Sequence, residues 1–329
     1  MRNRESKVLV TGGTGLVGTA LSAIQGDHPQ YQFIIAGSKD CNLTNQDETF
    51  KYVADCRPDF IIHLASLSGG IGLSSAYQAT ILRDNVLMNT FVLEAARRCR
   101  VKKIVMTLST GMYPADAPNP IREEFIHLGE PHPSNYSYAF AKRLVEPMVR
   151  AYRSEYKMNV IGLIPNGIFG ENDCFNYEDA NMLAALIRRF CEHRNDDEPI
   201  VIWGDGSSLR EYTYSRDIAR AYLWCLEHYD SEQILHIGTT EEHSVKEIAH
   251  MIAEILGVGK ERITFDLTRP SGQPKKSTDN SKFINLSDFR YTPFRSALEN
   301  TLHWYLKTCE RTPGRLRTAS KIKSLTSHE

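Results

Sequence analysis

A glycine-rich turn directly after the first apolar run constrains the fold of this chain more than any other sequence feature. The run KVLVTG leads into GGTGLVG, a GxxGxxG pattern at residues 12–18 that opens a predicted helix. Such glycines let the backbone turn tightly and approach a pyrophosphate, whose charge lies at the amide-rich helix N-terminus. A tight turn without a ligand is the alternative, but the position after an N-terminal strand favours dinucleotide binding. The expected contacts are Gly12, Gly15, Leu16, Val17 and Gly18.

Apolar runs alternate with helical stretches along the first half of the chain. YQFIIAG, DFIIHLA and KKIVMTLS are continuous apolar runs, as the strands of a buried parallel sheet are. Helices are predicted at Leu16–Ile24, Asp47–Cys56, Ala76–Cys99 and Tyr138–Tyr156. This alternation predicts an α/β fold with a Rossmann doubly wound parallel sheet over residues 1–171. Shorter elements then predict a smaller C-terminal substrate lobe over residues 172–310, from which a strand can return to the first sheet, and a flexible basic tail over residues 311–329.

The composition of the chain excludes several classes of protein. The formal net charge of −1 gives no general attraction to nucleic acid or to an anionic membrane. No apolar run approaches the roughly 18 residues that a membrane-spanning helix needs. The seven cysteines are odd in number and include no CxxC pair, which argues against a disulfide framework or structural zinc. We therefore expect a cytoplasmic protein without a metal, a nucleic-acid partner or a membrane partner.

The end of the second apolar run indicates which dinucleotide binds. NAD enzymes place a carboxylate here for the ribose 2′-hydroxyl, whereas this chain has Ser38 and Lys39. A hydroxyl and an ammonium suit a 2′-phosphate, so the sequence predicts NADP(H). Asp40 is the alternative, because it could turn inward as the missing carboxylate. The remaining cofactor contacts are expected along the adenine and under the ribose, from Asn42, Leu43, Leu64, Ala65 and Ser66.

Two polar residues fall within apolar elements. His63, in the run DFIIHLA, is predicted to be a satisfied core histidine without a chemical role. Asn85 lies in the middle of the predicted helix at residues 76–99 and belongs to the predicted cofactor site. A polar residue facing the sheet there usually holds another group by hydrogen bonding, and solvent exposure is the alternative.

A tyrosine and a lysine one helical turn apart predict the catalytic groups. Tyr138 and Lys142 lie on the same helix face, where a nearby cation favours the phenolate and lets the hydroxyl exchange a proton near neutral pH. Lys142 can also hold the nicotinamide ribose, so both residues belong to the predicted cofactor site. Ser109 follows KKIVMTL at the carboxyl edge of the sheet and is expected to bind the substrate carbonyl. Thr110 is the competing hydroxyl, and no GxSxG elbow supports a serine nucleophile.

The chain resembles the GDP-L-fucose synthase family of extended short-chain dehydrogenases. The resemblance is carried by TGGTGLVG, SKDCNLT, LSTGMYP, PHPSNYSYAFAK, LIRRF, VIWGDGSSLREY, SGQPKKSTD and DFRYTPF. It implies an NADPH-dependent oxidoreductase that converts GDP-4-keto-6-deoxy-mannose to GDP-L-fucose. It also implies a homodimer through the long helices after DFIIHLA and KKIVMTLS, where Val86, Val92 and Leu93 fit either a dimer or packing on the sheet.

The resemblance further implies how the nucleotide end of a GDP-sugar is held. The matching positions are Arg189, Trp203, Arg210 and Lys276. This set is chemically suitable, since a diphosphate needs two or more cations and an indole can cover a sugar or a base. For each of these residues taken alone, the alternative to nucleotide binding is a surface charge or a core aromatic residue.

Two departures from the family pattern concern epimerisation. The resemblance implies a cysteine and a histidine that move protons at C3 and C5, and this chain has Gly111 and Asn181 at those positions. Neither residue titrates near pH 7. We therefore expect a C4 reductase acting on a GDP-4-keto-6-deoxy hexose or heptose without the epimerase step. The alternatives are a complete GDP-L-fucose synthase, with Cys174 or His132 as relocated proton carriers, and a nucleotide-binding pseudoenzyme.

Overall fold

A six-stranded parallel sheet forms the centre of the molecule, of which the computed structural model describes residues 5–269 and 273–312. The strand order is β2-β1-β3-β4-β5-β9. Each strand is a short apolar run whose successive side chains face opposite sides of the sheet. The strands are β1 (Ser6–Thr11), β2 (Tyr31–Ala36), β3 (Phe60–His63), β4 (Lys103–Thr107), β5 (Val160–Pro165) and β9 (Leu235–Ile237).

Helices cover both faces of this sheet. They are α1 (Leu16–Ala23), α2 (Gln46–Cys56), α3 (Ile71–Ala76), α4 (Gln78–Arg98), α5 (Tyr136–Arg143), α6 (Val145–Tyr156) and α8 (Ser215–His228). Val8 packs in a core with α1 and α8, whereas Leu9 packs in a second core with α4 and α6. The predicted doubly wound α/β fold is therefore confirmed. The strand order reverses between β1 and β3, and ligands of such sheets bind at the carboxyl ends of strands beside such a reversal.

The sequence predicts one continuous helix over Tyr138–Tyr156, and this prediction is wrong. The chain forms two helices, α5 and α6, which meet at Leu144. Pro147 lies in the first turn of α6 and has no N–H to donate to the carbonyl of Arg143. A proline is tolerated in a first helical turn but not within a continuous helix, which explains the break. The other predicted helix ends in this half of the chain lie within two residues of the observed ones.

The remaining elements form a smaller lobe. Its strands are β6 (Gly167–Phe169), β7 (Ile200–Trp203), β8 (Leu209–Tyr214), β10 (Glu242–Ser244), β11 (Ile263–Asp266) and β12 (Lys275–Lys276). Its helices are α7 (Met182–Glu192), α9 (Val245–Leu256) and α11 (Phe294–Arg311). Helix α10 (Ser281–Ser287) follows β12 in the chain, but its Phe283 packs in the core that α1 and α8 form on the main sheet. Strands β10, β8 and β12 are neighbours in one sheet, β6 also pairs with β8, and β7 pairs with β11. Helices α7, α9 and α11 share a third core.

The chain crosses between the two parts more than once. Strand β9 pairs with β5, with Leu163 opposite Leu235, and α8 packs on the main sheet. Residues 215–237 therefore belong to the first sheet, although they follow the start of the smaller lobe. The division at residue 171 stays a prediction, and the predicted tail lies outside the described residues apart from Arg311 and Thr312. Among the described residues, no helix is long and apolar enough to cross a membrane.

Candidate active site

The glycine turn lies against the loop that follows β3. Gly12 has φ +69°, a left-handed conformation that favours glycine, and a Cβ there would lie 2.6 Å from the backbone nitrogen of Ala65. A Cβ on Gly18 would lie 2.4 Å from the backbone of Gly13. Backbone segments thus approach one another without side chains between them. This close approach is what a pyrophosphate-binding turn requires.

The N-terminus of α1 is open to the same side. Gly15 precedes the helix, no side chain caps it, and its first turn contains no acidic residue. The N–H groups and the helix dipole can therefore act on an anion without a competing carboxylate in that turn. Leu16 is half-buried, whereas the side chain of Val17 packs into the core. Val17 can contribute to a cofactor site through its backbone alone.

The turn after β2 carries the residues predicted to select NADP. Ser38 and Lys39 are exposed, and Lys39 forms no ion pair with a residue that the structure describes. The carboxylate of Asp40 accepts a hydrogen bond of 2.8 Å from the N–H of Gly37. Asp40 is therefore already engaged by its own turn, which favours Ser38 and Lys39 as the groups that meet the ribose.

The predicted adenine-facing residues lie just beyond this turn. The side-chain oxygen of Asn42 accepts hydrogen bonds from the N–H and the hydroxyl of Thr44, at 3.1 and 2.7 Å. Leu43 is half-buried and packs against the core beside α4. Their contact with an adenine stays a prediction.

Asn85 holds the loop after β3. It is 1% exposed, and its Oδ1 accepts hydrogen bonds of 3.0 Å from the Ser66 hydroxyl and the Leu67 N–H. Its Nδ2 donates to the carbonyls of Leu67 and Ile81. The expectation that Asn85 holds another group is met, and solvent exposure is excluded. The four hydrogen bonds of its side chain are made within the protein, so Asn85 supports the predicted cofactor site through the loop that it holds. Its place in that site stays a prediction.

His63 is a core histidine, as expected. Its ring nitrogens lie 2.7 Å from the Thr11 hydroxyl and 3.1 Å from Oδ1 of Asn89. Burial, together with the charge of Lys142, lowers the pKa of His63 to about 3, so the ring is neutral at physiological pH. This neutral ring fixes the end of β3, from which Leu64, Ala65 and Ser66 continue.

Ser109 and Tyr138 meet at the carboxyl edge of the sheet. Ser109 follows β4 and precedes a short 3-10 helix, Thr110–Met112, and its Oγ accepts a hydrogen bond of 3.2 Å from the N–H of Gly111. Burial raises the pKa of the Tyr138 phenol above its ordinary value, and hydrogen bonds with Ser66 and Ser109 act in the lowering direction. Ser109, rather than Thr110, is thus the hydroxyl of its loop that contacts Tyr138. The contact with Ser66 is not predicted by the sequence.

Lys142 lies beneath Tyr138 and is almost completely buried. Its Nζ donates a hydrogen bond of 2.9 Å to the carbonyl of Thr107 and lies 5.9 Å from the Tyr138 ring centroid. Burial lowers the pKa of Lys142 to about 8. Most of the ammonium therefore remains charged at neutral pH, in a place where it can act on a phenolate.

Arg143 is a buried residue that sequence reasoning misses. Its Nε donates to the carbonyl of Met112 at 3.0 Å, and its Nη1 donates to the carbonyl of Gly129 at 2.8 Å. The guanidinium thereby fixes the loop after Ser109 to the helix that carries Tyr138. Its position next to Lys142 is the one signal in the sequence, and that signal alone does not indicate the contacts.

A cleft extends from this edge toward the smaller lobe. It is lined on one side by Thr110, Gly111 and His132 and on the other by Lys275 and Lys276. His132 accepts hydrogen bonds within its own loop, from the N–H and the hydroxyl of Ser134. The cleft thus extends from the loop that follows Ser109 to Lys276, one of the predicted nucleotide-binding residues.

Arg210 and Lys276 lie beside each other on adjacent strands. They are directly opposite in the pairing of β8 with β12. Burial and the charge of Arg210 lower the pKa of Lys276 to about 8, and burial also lowers the pKa of Arg210. Neither side chain forms an ion pair with any residue in the described ranges. Two adjacent cations that lack a carboxylate partner are arranged as an anion site would require.

Arg189 and Trp203 form a second pair of the predicted nucleotide-binding residues. Arg189 donates a hydrogen bond to the carbonyl of Val201 in β7. Trp203 ends the same strand, is 58% exposed, and has the Arg269 guanidinium 5.3 Å from its ring centroid. A large exposed indole beside a guanidinium suits a flat ligand such as a base. Contact of this pair with a nucleotide stays a prediction.

The two positions that depart from the family pattern lie in different elements. Gly111 lines the cleft beside Ser109. Asn181 is exposed and precedes α7, where its side chain makes no capping hydrogen bond. Cys174 lies in the half-buried loop before that helix. His132, which lines the cleft, is the better placed of the two residues considered as relocated proton carriers.

Comparison with known proteins shows the family to which this chain belongs. Residues 8–238 match the NAD dependent epimerase/dehydratase family. GDP-L-fucose synthase from Dictyostelium discoideum is 33% identical, over 92% of this chain and 96% of that protein. GDP-L-fucose synthase 1 from Arabidopsis thaliana is 32% identical, over 94% and 97%.

A solved structure gives the same result in three dimensions. The GDP-L-fucose synthetase of Naegleria fowleri, crystallised with NADP, is 32% identical and superimposes with a TM-score of 0.88, over 96% of this chain and 97% of that one. The resemblance expected from the sequence motifs is confirmed. This chain belongs to the NAD dependent epimerase/dehydratase family and, within it, to the GDP-L-fucose synthase family.

Proposed function

We propose that this protein is an NADPH-dependent reductase of the C4 ketone of a GDP-4-keto-6-deoxy sugar, a hexose or a heptose, and that it does not epimerise C3 or C5. The observation that carries the proposal is the contact of Ser109 with Tyr138, above buried Lys142, beside a cleft in which residue 111 is glycine. The groups proposed for the reduction lie together. Position 111, where the family pattern implies a cysteine, carries no titratable group.

The residues of the dinucleotide end fit NADPH. The close backbone approach at Gly12 and Gly18 leaves a cradle that side chains would fill, and the N-terminus of α1 is open to a pyrophosphate. Exposed Ser38 and Lys39 suit a 2′-phosphate. When bound in this position, NADPH supplies the hydride for the reduction.

Tyr138 supplies the proton to the C4 oxygen. Its raised pKa keeps the phenol protonated at neutral pH, which is the form that an acid catalyst needs. Ser109 accepts from the Gly111 N–H, so its own hydrogen can be donated to the carbonyl oxygen. The Lys142 ammonium stabilises the phenolate that remains after proton transfer.

The smaller lobe holds the nucleotide end of the substrate in this proposal. Arg210 and Lys276 lie opposite each other without a carboxylate partner among the described residues, and Lys276 lines the cleft that contains Gly111. A diphosphate on this pair would place the sugar toward Ser109. Arg189 and Trp203 are assigned to the remainder of the nucleotide.

Product analysis tests the proposal. Purified protein is given GDP-4-keto-6-deoxy-mannose and NADPH in deuterated water, and the product is examined by NMR. We expect a GDP-6-deoxy sugar that keeps its C3 and C5 configuration and carries no deuterium at either carbon. Tyr138→Phe should reduce kcat by roughly 10²- to 10⁴-fold. NADPH that is not oxidised by the wild type would instead indicate the pseudoenzyme alternative.

A complete GDP-L-fucose synthase is the second candidate function. The names of the relatives and the position of His132 in the cleft favour it. Deuterium at C3 or C5, together with an L-fuco product, would establish this activity and overturn the proposed loss of epimerisation. His132→Gln and Cys174→Ala would then identify the relocated proton carrier.

We also propose a homodimer through α4 and the helices α5 and α6, which replace the single helix predicted at Tyr138–Tyr156. Val92 and Leu93 are fully buried in the core of the single chain, so they pack on the sheet rather than against a partner. Exposed apolar or aromatic side chains on these helices and at the junction of α5 and α6 include Leu82, Tyr136, Leu144 and Tyr156. Light scattering of the wild type and of Leu82→Glu tests this arrangement, and a wild-type monomer would overturn it.

A further inference from the structure

The space beside Gly111 is occupied by a neighbouring side chain. A Cβ on residue 111 would lie 2.7 Å from Nδ2 of Asn135 and 3.5 Å from Oγ of Ser109. Both atoms are therefore within a few ångström of one point at the edge of the cleft. The carboxamide of Asn135 takes the place that any side chain on residue 111 would need.

Asn135 does not use this carboxamide for the helix that it begins. It is the residue before α5, where an asparagine side chain commonly accepts a hydrogen bond from the first turn, yet it makes no such bond. In residues 5–269 and 273–312, no hydrogen bond to its side chain is formed. Asn45 holds the same position before α2, and its side chain caps the helix by accepting from the N–H of Glu48 at 3.1 Å. The carboxamide of Asn135 is thus available to a ligand.

Asn135 lies close to the place where the reacting carbonyl of the substrate would be held. It lies three residues before Tyr138, which places both residues on one face of the chain at the start of α5. Tyr138 and Ser109 mark where the C4 oxygen of a substrate would be held. A group beside Ser109 and one turn from Tyr138 therefore faces a carbon adjacent to C4. In a 4-keto-6-deoxy sugar, C3 is the adjacent carbon that carries a hydroxyl.

We propose that Asn135 is a specificity-determining residue that binds the C3 hydroxyl of the 4-keto sugar. The proposal rests on the proposed reductase function. An amide can donate through Nδ2 and accept through Oδ1, so it suits a hydroxyl, and it does not titrate near neutral pH. It thus holds the hydroxyl without removing a proton from C3. Glycine at position 111 is required because it leaves room for this amide.

Paired substrates test the assignment. The rates are compared for GDP-4-keto-6-deoxy-mannose and for the analogue that lacks the C3 hydroxyl. The wild type should prefer the hydroxylated substrate by about tenfold or more in kcat/KM, as expected for one buried hydrogen bond. Asn135→Ala should lose about tenfold in kcat/KM on the hydroxylated substrate and show a preference near one. An unchanged preference in Asn135→Ala would overturn the proposal.

Gly111→Ala provides an independent test, because its methyl group would displace the Asn135 amide. This variant should also lose the preference for the C3 hydroxyl. The double variant Gly111→Ala/Asn135→Ala should be no worse than Asn135→Ala alone, since both changes remove the same contact. Additive losses would contradict a shared contact. If Asn135→Ala failed to fold, the effect of Gly111→Ala on the preference would still decide the question.

Two matched controls separate this role from a structural one. Asn45→Ala removes a helix cap and should lower thermal stability without altering the substrate preference. Gly26→Ala adds a methyl group in open space and should change neither quantity. A wild type that reduces neither sugar would refute the proposed function. A wild type that reduces both sugars equally would refute the role of Asn135 alone.

Discussion

Lys142 combines a proposed catalytic role with a cost to stability. Its side chain is 1% exposed, its Nζ donates a hydrogen bond to the carbonyl of Thr107, and burial is the cause of its lowered pKa. The same charge contributes to the low pKa of His63 on the neighbouring strand. Lys142 forms no ion pair with any carboxylate of the residues that the structure describes, and a buried cation without such a partner is unfavourable for folding. The proposed effect on Tyr138 gives a functional reason for its position.

Replacement of Lys142 by methionine should stabilise the protein while abolishing reduction. The pKa falls from 10.5 to about 8 on folding, which corresponds to a cost of about 3 kcal/mol while the lysine is charged in both states. Below pH 8 the full cost is present. As pH rises from 8 to 10.5, the folded state loses its proton first and the cost disappears.

Urea denaturation at several pH values measures this effect. The free energy of unfolding of Lys142→Met should exceed that of the wild type most at pH 7, and the difference should shrink toward pH 10. Lys246→Met, at an exposed position, serves as the control and should show no such trend. A variant less stable than the wild type at pH 7 would contradict the argument.

The candidate reacting residues can be predicted from sequence spacing because their relations to one another are local. Tyr138 and Lys142 are one helical turn apart, and Ser109 ends a strand, so each can be recognised without knowledge of distant contacts. The contact of Ser66 with Tyr138 and the approach of Asn135 to Gly111 depend on how separate loops meet. Such non-local contacts have no periodic signal in the sequence.

At the scale of elements, the packing of α1 depends on Gly18. The helix approaches the turn so closely that a Cβ would lie within 2.4 and 2.5 Å of three backbone atoms of Gly13. Backbone atoms cannot move aside as a flexible side chain can. The position of the helix N-terminus, and with it the predicted pyrophosphate site, is therefore set by this contact.

Gly18→Ala should displace α1 and weaken cofactor binding. We expect a loss of at least about 2 kcal/mol in the free energy of unfolding, because added volume cannot be accommodated against backbone. The affinity for NADPH, measured by fluorescence titration, should fall in parallel. Gly26→Ala again serves as the control, since its Cβ would meet no atom within 4 Å. Equal stability and affinity in the two variants would contradict a steric role for Gly18.

The elements are predictable where one strand and one helix form a local unit. The strands β1 to β5 appear as continuous apolar runs, because both faces of the sheet are covered. The sheet of the smaller lobe is not predicted in detail. Its strand β12 has two residues, Lys275 and Lys276, and pairs with β8, which lies more than sixty positions earlier. Such short strands are specified by distant partners rather than by their own composition.

At the scale of the whole molecule, a buried carboxyl joins the two parts. Glu211 in β8 is 6% exposed, and its Oε2 accepts hydrogen bonds from the N–H and hydroxyl of Thr278 and from Nδ2 of Asn166. Asn166 follows β5 of the main sheet, whereas Thr278 follows β12 of the smaller lobe. Glu211 also follows Arg210 directly, so the joint lies next to the proposed diphosphate site.

The protonation of Glu211 should make this joint sensitive to pH. Burial raises the pKa of Glu211 to about 7, against the hydrogen bonds from Thr278 and Asn166, which lower it. The folded state therefore keeps its proton up to about pH 7, whereas the unfolded chain releases it near pH 4.5. Stability from this group is greatest at low pH and falls as pH rises from 4.5 to 7, by about 3 kcal/mol in all.

Glu211→Gln tests this dependence because an amide is neutral at every pH and retains an acceptor oxygen. The difference in free energy of unfolding between variant and wild type should change in favour of the variant between pH 5 and pH 8, by most of this 3 kcal/mol. Exposed Glu232→Gln provides the control, with a difference that stays constant. A constant difference for Glu211→Gln would mean that the three hydrogen bonds hold the carboxylate ionised throughout, so that the joint between the two parts is permanently charged.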